Sequence, residues 1–333
     1  MAARLAPTAG RRMPVLVVVL LLSALLGTLP ACAASPARQK EQLVPGGDFV
    51  LGEQPDGNSI VIPAPQGAII VDTGRHPAHL DAVQQEIARS GQAVAAVINT
   101  HWHLDHVGGN VALRREYPDL AVYGTDAIQQ ALVGFLAGYH QQLVTQLAGE
   151  SDPVRQQPLR AELALIEAGQ ALAPNHVVTS SGDVRIAGRK LQFNIEPYAH
   201  TAADLWIYDG ATRTVISGDL VVLPTPFLDT SCPPHIRTAL AHIAAKPFDL
   251  LLPGHGPALS RQEFERYRRA YGNLLACAAT TAPAADCATG WRQDLGALLP
   301  AASYRTADAL IGYYLQTSLR APPAALAKLC GTV

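Results

Sequence analysis

The chain has 333 residues, 49% of them apolar and 16% charged, with a formal net charge of −2. That is enough apolar material for one large domain with additions or for two domains of ordinary size. The near-neutral balance carries no clustered basic face, which argues against nucleic acid as a partner and leaves a small molecule as the expected substrate.

The N-terminus reads as an export signal. Arg4, Arg11 and Arg12 precede the apolar run Val15 to Leu26, and small residues follow at Ala31, Ala33 and Ala34. The run is short for a membrane span. Leu29-Pro30-Ala31-Cys32 resembles a lipoprotein box, in which a lipid anchor sits on Cys32 as the first mature residue; Ala31-Cys32-Ala33 also suits ordinary cleavage, and both readings stand. Residues 1–32 are thus expected to be a signal peptide or lipoprotein signal, and the mature protein to be periplasmic or secreted.

A folded domain is expected from about residue 45 to 260. Phe49-Val50-Leu51, Ser59 to Ile62 and Ala68 to Val71 are short apolar runs broken by Pro and Gly, which predicts strands. Pro77 to Ser90 has an amphipathic helical pattern, Val94 to Asn99 is a strand, Val111 to Tyr117 a helix and Ala121 to Tyr123 a strand. This alternation predicts α/β layering.

Between two of these elements lies His101-Trp102-His103-Leu104-Asp105-His106. Three imidazoles and a carboxylate in six residues form a dense set of borderline metal ligands. On an extended or looping backbone His101 and His103 project to one side, and Asp105 and His106 point toward a second position. The spacing suits two neighbouring metals better than one closed structural site.

Residues 125–173 are rich in Ala, Leu and Gln and predict two or more helices broken near Ser151-Asp152-Pro153. An insertion of that length is expected to form a wall or lid over the metals, with Tyr139 and His140 as candidates to line the cleft. Strands resume at Val177 to Thr179, Val184 to Ile186, Lys190 to Ile195, Leu205 to Tyr208 and Arg213 to Ser217. His200 follows one of these runs, Asp219 ends Val215-Ile216-Ser217-Gly218-Asp219, and His255 follows Asp249 to Leu252 in Pro253-Gly254-His255-Gly256. Each sits at the end of an expected strand, where rigid scaffolds place site residues. The Pro-rich run Leu223 to Pro234 reads as a loop at the cleft rim, leading to a helix at His235 to Ala245.

Residues 261–333 read as a helical C-terminal extension, opened by the N-cap Ser260, packed outside the metal core and without chemistry of its own. Removal of Cys32 leaves four cysteines, an even number that suits disulfides in an exported chain. Cys277 and Cys287 are close in sequence and are paired here, which leaves Cys232 with Cys330.

The succession His-x-His-x-Asp-His, His200, Asp219 and Gly-His-Gly resembles the metallo-β-lactamase fold hydrolases over roughly Phe49 to Ser260. Asp72, in Ile69-Ile70-Val71-Asp72-Thr73-Gly74, is similar to that family's early Asp-x-Gly turn. The resemblance implies an αββα sandwich. It also implies a first metal on His101, His103 and His200, a second on Asp105, His106 and His255, and Asp219 bridging the pair. Two zinc ions per chain are the expected cofactors, and Asp105 is the candidate catalytic residue that both binds metal and orients the attacking hydroxide. The reaction class is hydrolysis of an ester, thioester, lactone or amide, because a metal pair lowers the pKa of bound water from 15.7 toward about 7.

Alternatives follow from the same resemblance. Asp219 occupies the position where one β-lactamase class carries a Cys, and is more similar to glyoxalase II and its relatives. A metallo-β-lactamase therefore ranks second. Some relatives hold iron and run redox chemistry, as the sulfur dioxygenases do. The segment Thr225 to Pro234 and the export signal look similar to the quinoprotein relay system zinc metallohydrolases.

Overall fold

The structure is a computed structural model and describes residues 41–43, 47–53 and 55–332. The expected signal segment and Cys32 lie outside the described residues.

The first sheet runs β1 (Glu41–Leu43), β2 (Gly47–Val50), β3 (Ser59–Ile62), β4 (Ala68–Val71), β5 (Val94–Ile98), β6 (Ala121–Gly124) and β7 (His176–Val177), in that spatial order. The pairs from β1 to β4 are antiparallel and those from β4 to β7 parallel. Parallel neighbours need crossovers, and helices supply them. Pro77–Ser90 (α1) joins β4 to β5. Leu104–Val107 (α2) and Asn110–Glu116 (α3) join β5 to β6. Ala127–Val133 (α4), Phe135–Gly149 (α5) and Pro153–Glu167 (α6) join β6 to β7.

The second sheet has the order β13-β12-β11-β10-β9-β8. Its strands are β8 (Gly182–Ile186), β9 (Arg189–Pro197), β10 (Ala203–Asp209), β11 (Thr214–Val222), β12 (Leu250–His255) and β13 (Leu259–Ser260). Pro233–Ala244 (α7) crosses from β11 to its parallel neighbour β12.

The period-two alternation of side chains sorts these strands into layers. Ile60, Ile62, Ile69, Val71 and Ile98 face Phe193, Leu205, Ile207, Ile216 and Leu252 between the sheets. The intervening Val61, Ile70 and Val97 turn outward onto Leu80, Val83 and Ile87 of α1. On the far side, Trp206 and Val215 pack under Arg261–Ala278 (α8), Ala284–Leu295 (α9) and Tyr304–Thr317 (α10). The result is the expected αββα sandwich with helices added after β13. A last short helix is Pro323–Leu326 (α11).

Most expected elements appear within a residue or two of their bounds. One differs in a way that matters. The run that carries Asp219 does not end there, because β11 continues to Val222. Its register with β12 shifts on both sides of Gly218, and the bulge turns Asp219 into the site from within a strand. Both expected disulfides form, Cys277–Cys287 and Cys232–Cys330. Among the described residues no helix is long and apolar enough to cross a membrane.

Candidate metal centre

The seven candidate ligands converge at one end of the sandwich and come from both sheets. His101 and His103 lie just beyond β5, and His103 is the extended N-cap of α2. Asp105 and His106 sit on α2 itself, one helical turn rather than the looping backbone expected. His200 lies in the turn between β9 and β10, Asp219 on β11, and His255 ends β12. The donor atoms fall into two groups, His101, His103, His200 and Asp219, and Asp105, His106 and His255. Within each group they lie within 4.8 Å of one another.

The hydrogen bonds behind these rings decide which nitrogen faces inward. Thr100 Oγ1 donates to Asp72 Oδ2 at 2.7 Å, so it can only accept from His101 Nδ1 at 3.0 Å. Thr230 Oγ1 donates to the His200 carbonyl at 3.0 Å and accepts from His103 Nε2 at 3.1 Å. Ser231 Oγ donates to the Phe227 carbonyl at 2.8 Å and accepts from His200 Nδ1 at 3.2 Å. Asp72 Oδ2 accepts from His106 Nδ1 at 2.8 Å. His101, His103 and His200 therefore donate outward and turn a lone pair inward, as outer contacts do for metal-bound imidazoles, while His106 donates outward and sheds the proton on its inward nitrogen when a metal binds.

The inward atoms of the first group have no good arrangement without a cation. His103 Nδ1 and His200 Nε2, both lone pairs, stand 3.2 Å apart. His106 Nε2 and His255 Nε2 are 3.4 Å apart. His101 Nε2 and Asp219 Oδ1 are buried and make no hydrogen bond. Asp219 Oδ2 lies 3.3 Å from His200 Nε2 and 3.7 Å from His255 Nε2, while its Oδ1 is 3.2 Å from His106 Nε2. One carboxylate thus spans both groups. Orphaned buried polar atoms cost free energy, and a divalent ion in each group would relieve that cost. The residues fit such ions.

Titration follows the same logic. Burial, with His200 alongside, pushes His103 down to about 3 and keeps it neutral. Burial and the neighbouring His106 lower His101 further. Burial also disfavours charge on His106, but Asp219, Asp105 and Asp72 outweigh it and raise that ring well above the usual histidine range. For Asp105, burial is outweighed by His106, His255 and Arg75, and the carboxyl is held below the usual range. Asp219 is likewise held well below it, against burial, by His106, His255 and His101.

Several contributors carry no periodic or compositional signal. Asp72, noticed for its turn, takes a left-handed φ of 57° so that Oδ1 accepts from the Thr100 N–H at 2.8 Å while Oδ2 serves Thr100 and His106. Asp204 holds the His200 turn through the N–H groups of His200 and Thr201. Asn58 donates to the carbonyls of Pro253 and Gly256, both at 2.9 Å, and fixes the turn that carries His255. Two glycines are compulsory for space. A Cβ on Gly254 would lie 1.9 Å from Asp219 Oδ1, and one on Gly57 would lie 2.4 Å from the His106 ring.

The helices of 125–173 reach the site by packing. Trp102, Leu104 and Val107 of the ligand segment share an apolar cluster with Ile128, Leu136, Leu143 and Leu163. Glu162 lies 3.3 Å from Arg75, whose guanidinium also lies 4.0 Å from Asp105. Tyr139 adjoins this pair, and burial together with Glu162 raises its hydroxyl pKa. His140 does not line the cleft as expected. It bonds Glu167 Oε1 at 3.1 Å within the same helical segment.

Two outcomes follow. Gly254→Ala keeps the fold by circular dichroism but retains less than half the wild-type metal after dialysis, by elemental analysis. Metal binding must also displace the proton that the raised His106 carries, so affinity rises with pH by about tenfold per unit for one displaced proton while that group titrates. Calorimetry in buffers of different ionisation heat measures the proton released; a pH-independent affinity would contradict it.

Comparison with known proteins agrees with this geometry. The family model of the Metallo-beta-lactamase superfamily matches residues 53–260. A hydroxyacylglutathione hydrolase of Thermosynechococcus vestitus is 45% identical over 62 residues, 19% of this chain and 23% of that one. A linear primary-alkylsulfatase of a Pseudomonas species is 27% identical over 239 residues, 65% of this chain and 44% of that one. The matched stretches span less than half the length of these curated relatives. Among solved structures, a metallo-beta-lactamase from Pontibacter korlensis superposes with a TM-score of 0.51 at 16% identity, over 71% of this chain and 99% of that one. A sec-alkylsulfatase from a Pseudomonas species gives 0.60 at 15% identity, over 86% and 51%. The chain belongs to the metallo-beta-lactamase superfamily.

Proposed function

We propose that this protein is an exported zinc-dependent hydrolase with two metals per chain, acting on an ester, thioester, lactone or amide. The observation that carries the reading is the pair of ligand groups spanned by Asp219. His101, His103 and His200 would hold the first ion and Asp105, His106 and His255 the second, with Asp219 shared. Bound there, the ions would supply Lewis acidity and an activated water.

The chain's own residues do the rest. Asp105 is ionised, because His106, His255 and Arg75 overcome its burial. Its Oδ2 lies 3.1 Å from His255 Nε2 and its Oδ1 4.0 Å from Arg75 Nη2, so the carboxylate is held from two sides and can orient the attacking water by accepting a hydrogen bond from it. Trp102, tilted against Phe135 with ring centres 5.5 Å apart, and Phe227, 5.4 Å from the His103 ring, give this end of the molecule an apolar rim. That rim favours a substrate with an apolar group beside its scissile bond.

A sulfate ester is the second substrate reading, favoured by the 239-residue match to the alkylsulfatase. Placement among the quinoprotein relay system metallohydrolases rests on Thr225 to Pro234 and the export signal, and is part of the proposal. So is location. Protein recovered from its native compartment is expected to have an intact mass lacking the segment before about Cys32; retention of the full N-terminus would reject export.

Metal content and turnover test the site on one set of samples. Wild type is expected to carry two zinc ions per chain and to cleave an activated ester or lactone faster than a cephalosporin. Asp219→Ala should lose more of the second metal than of the first, with activity down at least about 100-fold, in line with removal of a group that stabilises the transition state. His101→Ala should weaken the first site instead. Two metals and normal turnover in folded Asp219→Ala would reject the shared role. A single iron in the wild type would favour the redox branch of the superfamily.

A further inference from the structure

The helices after β13 were expected to pack outside the metal core without a part in its chemistry. Their contacts converge instead on one loop, residues 223–232, between β11 and α7. Trp291 Nε1 of α9 donates to the Pro224 carbonyl at 2.9 Å. From α10, Tyr313 donates to Asp229 Oδ1 at 2.9 Å and Tyr314 to Asp229 Oδ2 at 3.4 Å. Ser318, just beyond α10, donates to the Leu228 carbonyl at 3.4 Å. Tyr271 of α8 donates to the Pro233 carbonyl at 3.0 Å, and Cys232 is tied covalently to Cys330.

The next two residues in this loop are Thr230 and Ser231, whose hydroxyls accept from His103 and His200. Both hydroxyls are buried, and the Cys232 N–H closes the arrangement by donating to the Ala199 carbonyl at 2.8 Å. Loops are ordinarily the mobile part of a fold. This one is fastened from four elements, immediately on either side of the residues that hold two imidazoles. The Thr230 and Ser231 hydroxyls serve one ligand group; toward the other the loop offers the Leu223 N–H, which donates to the His255 carbonyl at 3.1 Å. Of the second group, His106 is held by Asp72, and the turn carrying His255 is held by Asn58, both from the N-terminal half of the chain.

We propose that the C-terminal helices are a clamp on the first ligand group, with Asp229, Tyr313 and Tyr314 as positioning residues that act through Thr230 and Ser231 on His103 and His200. The inference rests on the metal-binding reading of the site and deepens it. The two tyrosines share one carboxylate, so their loss frees Asp229 and, with it, the backbone that sets both hydroxyls. Outer contacts of this kind change metal affinity by about 10- to 100-fold when removed.

The test uses the purified full chain and zinc alone, titrated against a chromophoric chelator to resolve the two affinities. The variants are Asp229→Ala, Asp229→Asn, and the double substitution Tyr313→Phe with Tyr314→Phe. The control is Asp308→Asn, which removes the 3.3 Å ion pair from Arg292 between α9 and α10 without touching the loop. Asp229→Ala and the double Phe variant should weaken one zinc affinity by tenfold or more and leave the other within twofold. Cobalt substitution should show the altered spectrum of that one ion. Asp229→Asn, which keeps an acceptor oxygen, should recover most of the loss, and Asp308→Asn should bind both ions as wild type does. Thermal midpoints follow in parallel: a lowered midpoint with both affinities intact in the Asp229 and tyrosine variants would overturn the clamp. A wild type that takes up no zinc would sink the metal reading itself, and the clamp with it.

Discussion

The structure is built around an electrostatic difficulty. Five imidazoles and two carboxylates are brought together out of water, with the lone pairs of His103 and His200 facing one another at 3.2 Å. Burial of polar groups on this scale is tolerated only where something compensates each of them. The outer nitrogens of His101, His106, His103 and His200 find Thr100, Asp72, Thr230 and Ser231, and the inner atoms of the first group are left for a cation. A site of this kind is costly to the apoprotein and stabilised by what it binds, so folding and metal uptake are thermodynamically linked.

The fold answers the difficulty with stiffness. Ligands are carried just beyond the ends of strands whose inner faces are locked between two sheets, on the helical turn α2 or the β9–β10 turn that follows them, or within a strand at a bulge. Where backbones must pass close to a ligand, the chain has no side chain at all, as at Gly254 and Gly57. The helical insertion contributes an apolar buttress under Trp102 and a salt-bridge link from Glu162 through Arg75 toward Asp105. None of these elements is catalytic by itself. Together they leave the donors little freedom to relax away from one another.

Much of this could be read from the chain. The His-x-His-x-Asp-His run is local and dense, so its ligands needed no tertiary information; strand-helix alternation gave α/β layering, and the αββα sandwich came from the family resemblance. His200, Asp219 and His255 were legible because each follows an apolar run and stands beside a small residue. The outer contacts were not. Thr230 and Ser231 are ordinary loop residues whose role depends on a ring 127 positions earlier and on helices still to come. Arg75 and Glu162 are 87 residues apart and meet only through the packing of α6. His140 misled because a histidine in a helix says nothing about which neighbour it faces. Asp219 was expected at a strand's end but lies within β11, since a bulge inside a strand looks the same in sequence as a strand's end.

The disposition of the Thr230–Ser231 loop also sets an order of assembly. All seven ligand side chains have been synthesised once His255 is made, yet the loop behind His103 and His200 is fastened by residues as late as Tyr313, Ser318 and Cys330. Contacts of such long sequence separation form late and slowly, because the intervening chain must first be ordered. A nascent or partly folded chain therefore carries a complete set of donors while the loop behind His103 and His200 is not yet fastened. If the helices clamp the first ligand group, that group would be loose in this interval and open to whichever divalent ion is most abundant or binds most tightly. The compartment in which the last helices dock would then be the place where the identity of the metal is decided.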